Sequence, residues 1–333
     1  MKVLITGGAG YIGSNISSVL LDNGHTPVII DNFVNGRREF VDGRILYEGD
    51  IADSSLIRRI KSEHPEIDSC VHCAALIIVP ESMENPYEYY TDNVTNSIKF
   101  FKTLSEIGIN KILFSSSASI YDDVDDFIVT EESLLNPRSP YAKTKYIMEM
   151  ALEDFCRAYH MQGISLRYFN PIGNDPKLRS GVYDKDPSHV LDKMLLVAEG
   201  RADSFTITGT DWNTRDGSGL RDYIHLWDLA EAHLAALLNF DSIFEGKSGY
   251  EVINIGRGEG ITVKELLTSF ERVYGHKLNL KYSSLRPGDV QGCYASADKA
   301  KEKLKWTARF TVDEAIESAL NWIKNRGEVL KDF

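Results

Sequence analysis

The sequence predicts an α/β protein: a Rossmann-type, doubly wound parallel sheet followed by a smaller C-terminal α/β domain. Three observations carry that prediction. Through the first half, short apolar runs alternate with helical patterns. A glycine cluster at residues 7–13 joins the first apolar run directly to the first helical one. Beyond residue 170 the alternation weakens, and stretches rich in Pro, Gly and Asp take over. Strands that alternate with helices pair in parallel, and a parallel sheet needs helices on both faces.

Taken in order, strands are expected over residues 2–6, 28–31, 45–48, 69–74, 111–116 and 164–168, with helices over 11–23, 54–63, 93–108 and 140–160. Gly24 and Gly108 stand where helices stop. Residues 170–186 and 209–219 read as long loops, which in a compact enzyme are usually functional. Thr262 and Glu265 form a capping box that opens a helix to about Tyr274, and a last helix is expected over 312–324. The first domain is set at 1–169, with later segments returning to it, and the second at 170–333. No linker separates them, so the cleft should lie at their shared boundary near Asn170.

The 333 residues suffice for about two domains at roughly 150 residues each. Lys and Arg number 37 against 49 Asp and Glu, a net charge of −12, which offers no basic face to nucleic acid. No run of about 18 apolar residues implies a membrane span, and Met1-Lys2 leads into too short an apolar stretch for a signal peptide. Four cysteines argue against a disulfide framework and for a reducing, cytoplasmic setting. Cys70 and Cys73 form a C-x-x-C, but on a strand residues i and i+3 face opposite ways, roughly 10 Å apart. That is too far for a disulfide. No metal site is read from the sequence.

Gly7, Gly10 and Gly13 follow the first strand and open a helix, giving G-x-x-G-x-x-G. Glycine lets the backbone turn tightly and approach a pyrophosphate, and the helix N-terminus offers it free N–H groups. A Walker P-loop is excluded, because no Gly-Lys-Ser/Thr follows. Asp31 ends the second strand, 18 residues past Gly13, where a carboxylate can accept bonds from an adenosine ribose and repel the extra phosphate of NADP. NAD is therefore the expected cofactor. Arg37 and Arg38 read as solvated loop charges, and Asp50 as an adenine contact or a helix neighbour.

The strand at 111–116 runs into Ser115-Ser116-Ser117, and Tyr141 and Lys145 lie four residues apart on one helical face. A phenol with a pKa of about 10 is a poor base, and a neighbouring ammonium should lower it. With Ser117 bonding the reacting hydroxyl, the set suits removal of an O–H proton while hydride leaves the same carbon.

These residues, in this order, resemble the extended short-chain dehydrogenase/reductases, and within them the chain is similar to UDP-galactose (UDP-glucose) 4-epimerases along essentially its whole length. The carrying segments are GGAGYIGSN (7–15), DNF (31–33), GDI (49–51), HCAAL (72–76), SMENPYEYYTDNV (82–94), FSSSASIY (114–121), SPYAKTKYIME (139–149), LRYFNPIG (166–173), DGSGLRDYIHLWDLA (216–230), NIGRGEG (254–260) and RPGDVQGCYASADKA (286–300). The resemblance implies that Gly7, Gly10, Tyr11, Ile12, Asp31, Asn32, Asp50, Ile51, Ala74, Ala75, Asn93, Ser115, Tyr141, Lys145 and Tyr168 line the NAD site. It implies that Ser117 and Tyr141 meet the hexose, and that Asn170, Arg221 and Arg286 meet the UDP. Val79, His189, Val190 and Thr208 complete the substrate site, and Asp289 and Cys293 shape the pocket behind the nucleotide. It also implies a homodimer through the helices at 93–108 and 140–160, and makes 170–333 the nucleotide-sugar domain.

The chain departs from the family at several positions. Ile77 replaces a frequent Lys at the cofactor pyrophosphate, Asp122 a common Gly, His189-Val190 an Asn-Leu pair, and Thr208 an aromatic residue near the uracil. The expected reaction is inversion at C4 of a UDP-hexose through a 4-keto sugar. The small Cys293 wall extends this to the N-acetylhexosamine pair, and a UDP-uronate 4-epimerase is the neighbouring alternative. A 4,6-dehydratase or decarboxylase needs acidic residues where Ala118 and Ser119 stand. A non-catalytic NAD-binding protein would be expected to lose Tyr141, Lys145 or Ser117, and all three are present.

Overall fold

The structure, a computed structural model, describes residues 1–285 and 290–332. Seven strands form one sheet: β1 (Lys2–Thr6), β2 (Thr26–Asp31), β3 (Ile45–Glu48), β4 (Ser69–His72), β5 (Lys111–Ser117), β6 (Gln162–Tyr168) and β7 (Gly249–Ile255). Their spatial order is β7-β6-β5-β4-β1-β2-β3, and every pair is parallel. Chain order reverses at β1, so a crevice opens between the carboxyl ends of β1 and β4. Doubly wound sheets bind ligands at that switch point.

Alternation along the strands divides two cores. Val3, Ile5, Val71, Leu113 and Ile164 face helices Tyr11–Asp22 and Leu226–Phe244. Leu4, Val28, Cys70, Ile112 and Phe114 face helices Ser54–Glu63, Ser97–Glu106 and Pro140–Tyr159. Cys70 lies in the second core, Cys73 packs against the first, and both thiols are free. The expected opposite facing of the C-x-x-C is therefore observed.

Several elements differ from the sequence expectation, and β2 and β6 each begin two residues earlier than expected. β4 stops at His72 instead of residue 74: the Cys73 N–H still donates to the Thr6 carbonyl, but the Ala74 N–H turns to the Thr6 hydroxyl. The helix expected from residue 93 opens earlier, as a π-helical stretch Tyr90–Asn96 that runs into Ser97–Glu106. Such stretches concentrate at functional sites. The last helix extends to Val329.

The later segments do return to the sheet. β7 pairs with β6 from Gly249↔Gln162 to Ile255↔Tyr168, and helix Leu226–Phe244 covers the first core. The remaining lobe packs helices Val190–Ala198, Val263–Tyr274 and Val312–Val329 around Leu195, Ile207, Phe270 and Ile316. The capping box of Thr262 and Glu265 is present as read. The loop at 170–186 begins with a short strand and is not a surface loop: Asn174, Asp175 and Ser180 are wholly buried. Asn15 donates to the Ser180 hydroxyl, and Trp322 on the last helix donates to the Val182 carbonyl. Buried polar groups must find partners, and here a side chain from each lobe supplies one, to a hydroxyl and to a carbonyl of the loop.

Candidate active site

The cofactor cradle is built from backbone. Gly7 takes φ +66°, and a Cβ there would lie 2.9 Å from the Ala74 backbone. A Cβ on Gly13 would lie 2.3 Å from the Gly7 carbonyl oxygen. Both glycines are therefore sterically required by the close packing of the turn against the chain's own backbone. Gly10 precedes the helix Tyr11–Asp22 with no side-chain cap, leaving its first amides for an incoming anion. Tyr11 and Ile12 are half-buried beside it, and the Tyr11 hydroxyl donates to the Gly173 carbonyl at 2.5 Å.

Asp31 is 7% exposed at the end of β2. Its carboxylate accepts from the Ala9 amide at 2.9 Å and the Phe33 amide at 2.8 Å. Burial raises its pKa while these amides oppose the rise. Each oxygen keeps a lone pair for a ribose hydroxyl. Arg37 pairs with Asp332, and Arg38 pairs with Glu48 at 2.6 Å, so both are engaged with carboxylates of the chain. Asn32 is exposed and Ile51, Ala74 and Ala75 are half-buried around the same crevice. Asp50 is exposed and takes the Ala52 amide at 2.7 Å, whereas Asp53 caps the next helix. Asp50 therefore braces the turn before the helix but does not cap the helix itself.

Asn93 is buried in the π-helical stretch. Its side chain accepts from the Leu76 amide at 2.8 Å and donates to the Leu76 carbonyl at 2.9 Å and the Thr144 hydroxyl at 3.1 Å. It ties the loop after β4 to the helix of Tyr141. Ile77 and Val79, at the lip of that loop, are exposed.

Ser139 caps helix Pro140–Tyr159 by accepting from the Ala142 amide, and so fixes the turn that carries Tyr141. Tyr141 is 9% exposed, and Ser117, at the end of β5, lies near enough to its phenol to favour the phenolate. The Lys145 ammonium is buried, donates to the Ser115 carbonyl at 2.9 Å, and lies 5.9 Å from the Tyr141 ring centre. Tyr168 closes the group from the end of β6, with its pKa raised by burial and then by Tyr141. One expectation is corrected. The phenol of Tyr141 is raised from its ordinary value by burial, opposed only by Ser117. Lys145, which burial draws down to about 8 but leaves charged at neutral pH, does not offset that rise. A base at this position needs further positive charge, of the kind an oxidised nicotinamide would bring.

Beyond Ser117, Cys293 packs with Ala118, Tyr121 and Phe169. Burial pushes its thiol up to about 12, so it is a neutral wall. Arg221 donates to the carbonyls of Leu220, Val290 and Gln291 at 2.6, 3.1 and 3.1 Å, stitching its strand to the segment before Cys293. Asn170 is half-buried at the lobe boundary. His189, Val190 and Thr208 lie on the second lobe, where His189 is the exposed residue before helix Val190–Ala198 and Thr208 ends strand Phe205–Thr208. Arg286 and Asp289 lie outside the described residues. Among the described residues, no His, Cys, Asp and Glu are grouped to hold a metal, and no helix is long and apolar enough to cross a membrane.

Sequence reasoning missed Asp222. It is wholly buried and accepts from the amides of Arg257, Gly258 and Ala295 at 2.8, 3.0 and 3.2 Å. It holds the strand that presents Cys293. Only its place beside Arg221 could have drawn notice.

Residues 3–256 match the model of the NAD dependent epimerase/dehydratase family. The chain is 38% identical to the UDP-glucose 4-epimerase of Yersinia enterocolitica, over 97% of this chain and 98% of the other. Its fold is similar to the UDP-glucose-4-epimerase of Stenotrophomonas maltophila, solved with bound NAD and formylated UDP-arabinopyranose, with a TM-score of 0.94 and 31% identity over 99% and 100% of the two chains. It is also similar to the UDP-glucose 4-epimerase of Bifidobacterium longum in complex with NAD+ and UDP, with a TM-score of 0.91 and 33% identity over 99% and 100%.

Proposed function

The chain belongs to the NAD-dependent epimerase/dehydratase family, and from that membership and the site's geometry we propose that it inverts C4 of UDP-hexoses. The observation that carries this reading is the meeting of Tyr141, Lys145 and Ser117 at the carboxyl end of β5, beside a glycine cradle that fits a dinucleotide. NAD, when bound there, supplies a hydride acceptor and a positively charged ring.

Tyr141 takes the proton of the sugar 4-hydroxyl as the C4 hydrogen departs as hydride, and Ser117 holds the same oxygen. The C4–H and O–H bonds break and a C=O bond forms, which leaves a 4-keto sugar. Tyr141 returns the proton after hydride has been restored to the opposite face. No net oxidation results. Lys145 is buried at the ends of β5 and the acid/base helix, placed to bond the nicotinamide ribose and keep positive charge beside the phenol. Asp31 sets the preference for NAD. Ala118 and Ser119 beyond Ser117 bring no carboxylate to a dehydration.

The pocket wall at Cys293, with the small Ala118 beside it, favours acceptance of a 2-acetamido group, so the N-acetylglucosamine pair is included. The division into a cofactor domain at 1–169 with returning segments and a substrate domain from 170 fits the placement of these residues. Four free thiols support a reducing cytoplasm. Ile98, Met150 and Tyr159, exposed on helices Ser97–Glu106 and Pro140–Tyr159, support homodimer formation through those helices. Incubation with UDP-galactose, UDP-N-acetylgalactosamine and UDP-galacturonate, with products identified, tests the reading. Failure to convert any of the three would refute it.

A further inference from the structure

Helix Pro140–Tyr159 places Tyr141, Lys145 and Glu149 at i, i+4 and i+8, one stripe on one face. The first two reach the site and the third is buried beneath it. The Glu149 carboxylate accepts from Arg167 Nε at 3.0 and 3.2 Å and from Arg167 Nη2 at 2.6 Å. It also accepts from the Ser116 hydroxyl at 2.5 Å. The side chains of Glu149 and Arg167 are 4% and 5% exposed.

The neighbours of these residues matter. Ser116 stands between Ser115, whose carbonyl takes the Lys145 ammonium, and Ser117. Arg167 immediately precedes Tyr168. Its third donor reaches the Tyr121 hydroxyl at 3.0 Å, which donates to Asn254 on β7 at 2.7 Å. The Tyr121 ring is part of the wall around Cys293. One forked ion pair therefore ties together the acid/base helix, the ends of β5 and β6, and the sugar wall.

A buried ion pair is weak evidence for stability, because apolar side chains of the same volume often hold a fold as well. What the fork adds is geometry, fixing both the separation and the angle of its partners. We propose that Glu149 and Arg167 are a positioning pair that sets Tyr141 and Lys145 against Ser117 and Tyr168 without touching substrate. This rests on the reading of Tyr141 as the acid/base group. Glu149 also faces Lys145 electrostatically, and with Cys73 it opposes the lowering by burial. The other groups around that ammonium are Tyr141 and the neutral His72.

The test compares Glu149→Gln and Arg167→Lys with the unmodified enzyme, by kcat, KM, pH–rate profile and the ultraviolet titration of the Tyr141 phenol, obtained by subtracting Tyr141→Phe in each background. Misplacement of reacting groups by about 1 Å can cost on the order of 100-fold in rate. Arg167→Lys keeps the charge and loses the fork. It should lower kcat about 10-fold or more with KM little changed, leave the basic limb in place and raise the phenol titration as Tyr141 moves away from Ser117. Glu149→Gln should lower kcat further and move the basic limb to lower pH, because Lys145 loses the carboxylate that holds its proton. Folded variants with unchanged kcat and titrations would overturn the proposal. So would failure of both to fold, which would assign the pair to folding alone. An unmodified enzyme that converts no UDP-hexose would instead refute the functional reading, and the phenol titration would still judge the pair.

Discussion

The cofactor cradle and the sugar wall lie on either side of Tyr141 and are made of different materials. The cradle is backbone: Gly7 and Gly13 leave no room for a Cβ, and the carboxylate beside it, Asp31, is bonded to amides within two residues of the strand end or in the glycine loop itself. The wall is made of contacts between distant segments. Asp222 gathers the amides of Arg257, Gly258 and Ala295, and Arg221 gathers the carbonyls of residues 290 and 291. A feature made of local backbone is specified by a short run of residue types. A feature made of remote side chains is specified only by the finished fold.

That contrast can be tested from its seam outward. Tyr141→Phe removes one oxygen and should lower kcat by roughly 10²–10⁴-fold. Binding of NAD and UDP, followed by calorimetry, should stay near normal, and near-normal turnover would remove Tyr141 from the acid/base role. The two sides should then separate. Asp222→Asn leaves buried amides short of an acceptor, at about 1–3 kcal/mol, and should raise KM for the UDP-sugar while NAD affinity holds. Gly7→Ala strains a positive-φ turn against Ala74, also at about 1–3 kcal/mol, and should weaken NAD and spare UDP. If both variants weaken both ligands equally, the two regions are one unit and the contrast is wrong.

Cys293→Tyr should act more narrowly. Overpacking a closed site costs roughly 1–3 kcal/mol, so turnover of UDP-N-acetylglucosamine should fall about 10-fold relative to UDP-glucose. Equal acceptance by the tyrosine variant would show that the wall does not gate the acetamido group. Asp31→Ala should act on cofactor choice alone. The carboxylate is 7% exposed, so its repulsion of a phosphate exceeds the roughly 1 kcal/mol it would have in water, and the preference for NAD over NADP should narrow about 10-fold. Equal use of both cofactors by the unmodified protein would contradict the role of Asp31.

Legibility in the sequence follows the same division. The strand–glycine–helix run, Asp31, the serine-rich strand end and the Tyr141–Lys145 spacing are local patterns, and each lies where its pattern implied. The capping box at Thr262 is legible for the same reason. The π-helical entry at Tyr90 was not, since it accompanies a bond from Asn93 to the Leu76 backbone, a contact seventeen residues away. Asp222, Glu149 and Arg167 were invisible as functional residues, since their partners lie on other elements. The raised phenol of Tyr141 was missed because spacing on a helix conveys proximity and not burial.

The return of β7 to the sheet governs the order in which this molecule can be made. A nascent chain released as far as residue 169 holds six of the seven strands. It lacks the strand that covers β6 and the helix Leu226–Phe244 that covers the first core. Gln162–Tyr168 would then present an open row of amides and carbonyls, the kind of edge that recruits other strands. The half that holds the cofactor cannot finish folding until the chain has passed residue 255. The cofactor site and the sugar site are therefore completed in one late step, and a fragment cut between them is exposed to aggregation before it can work.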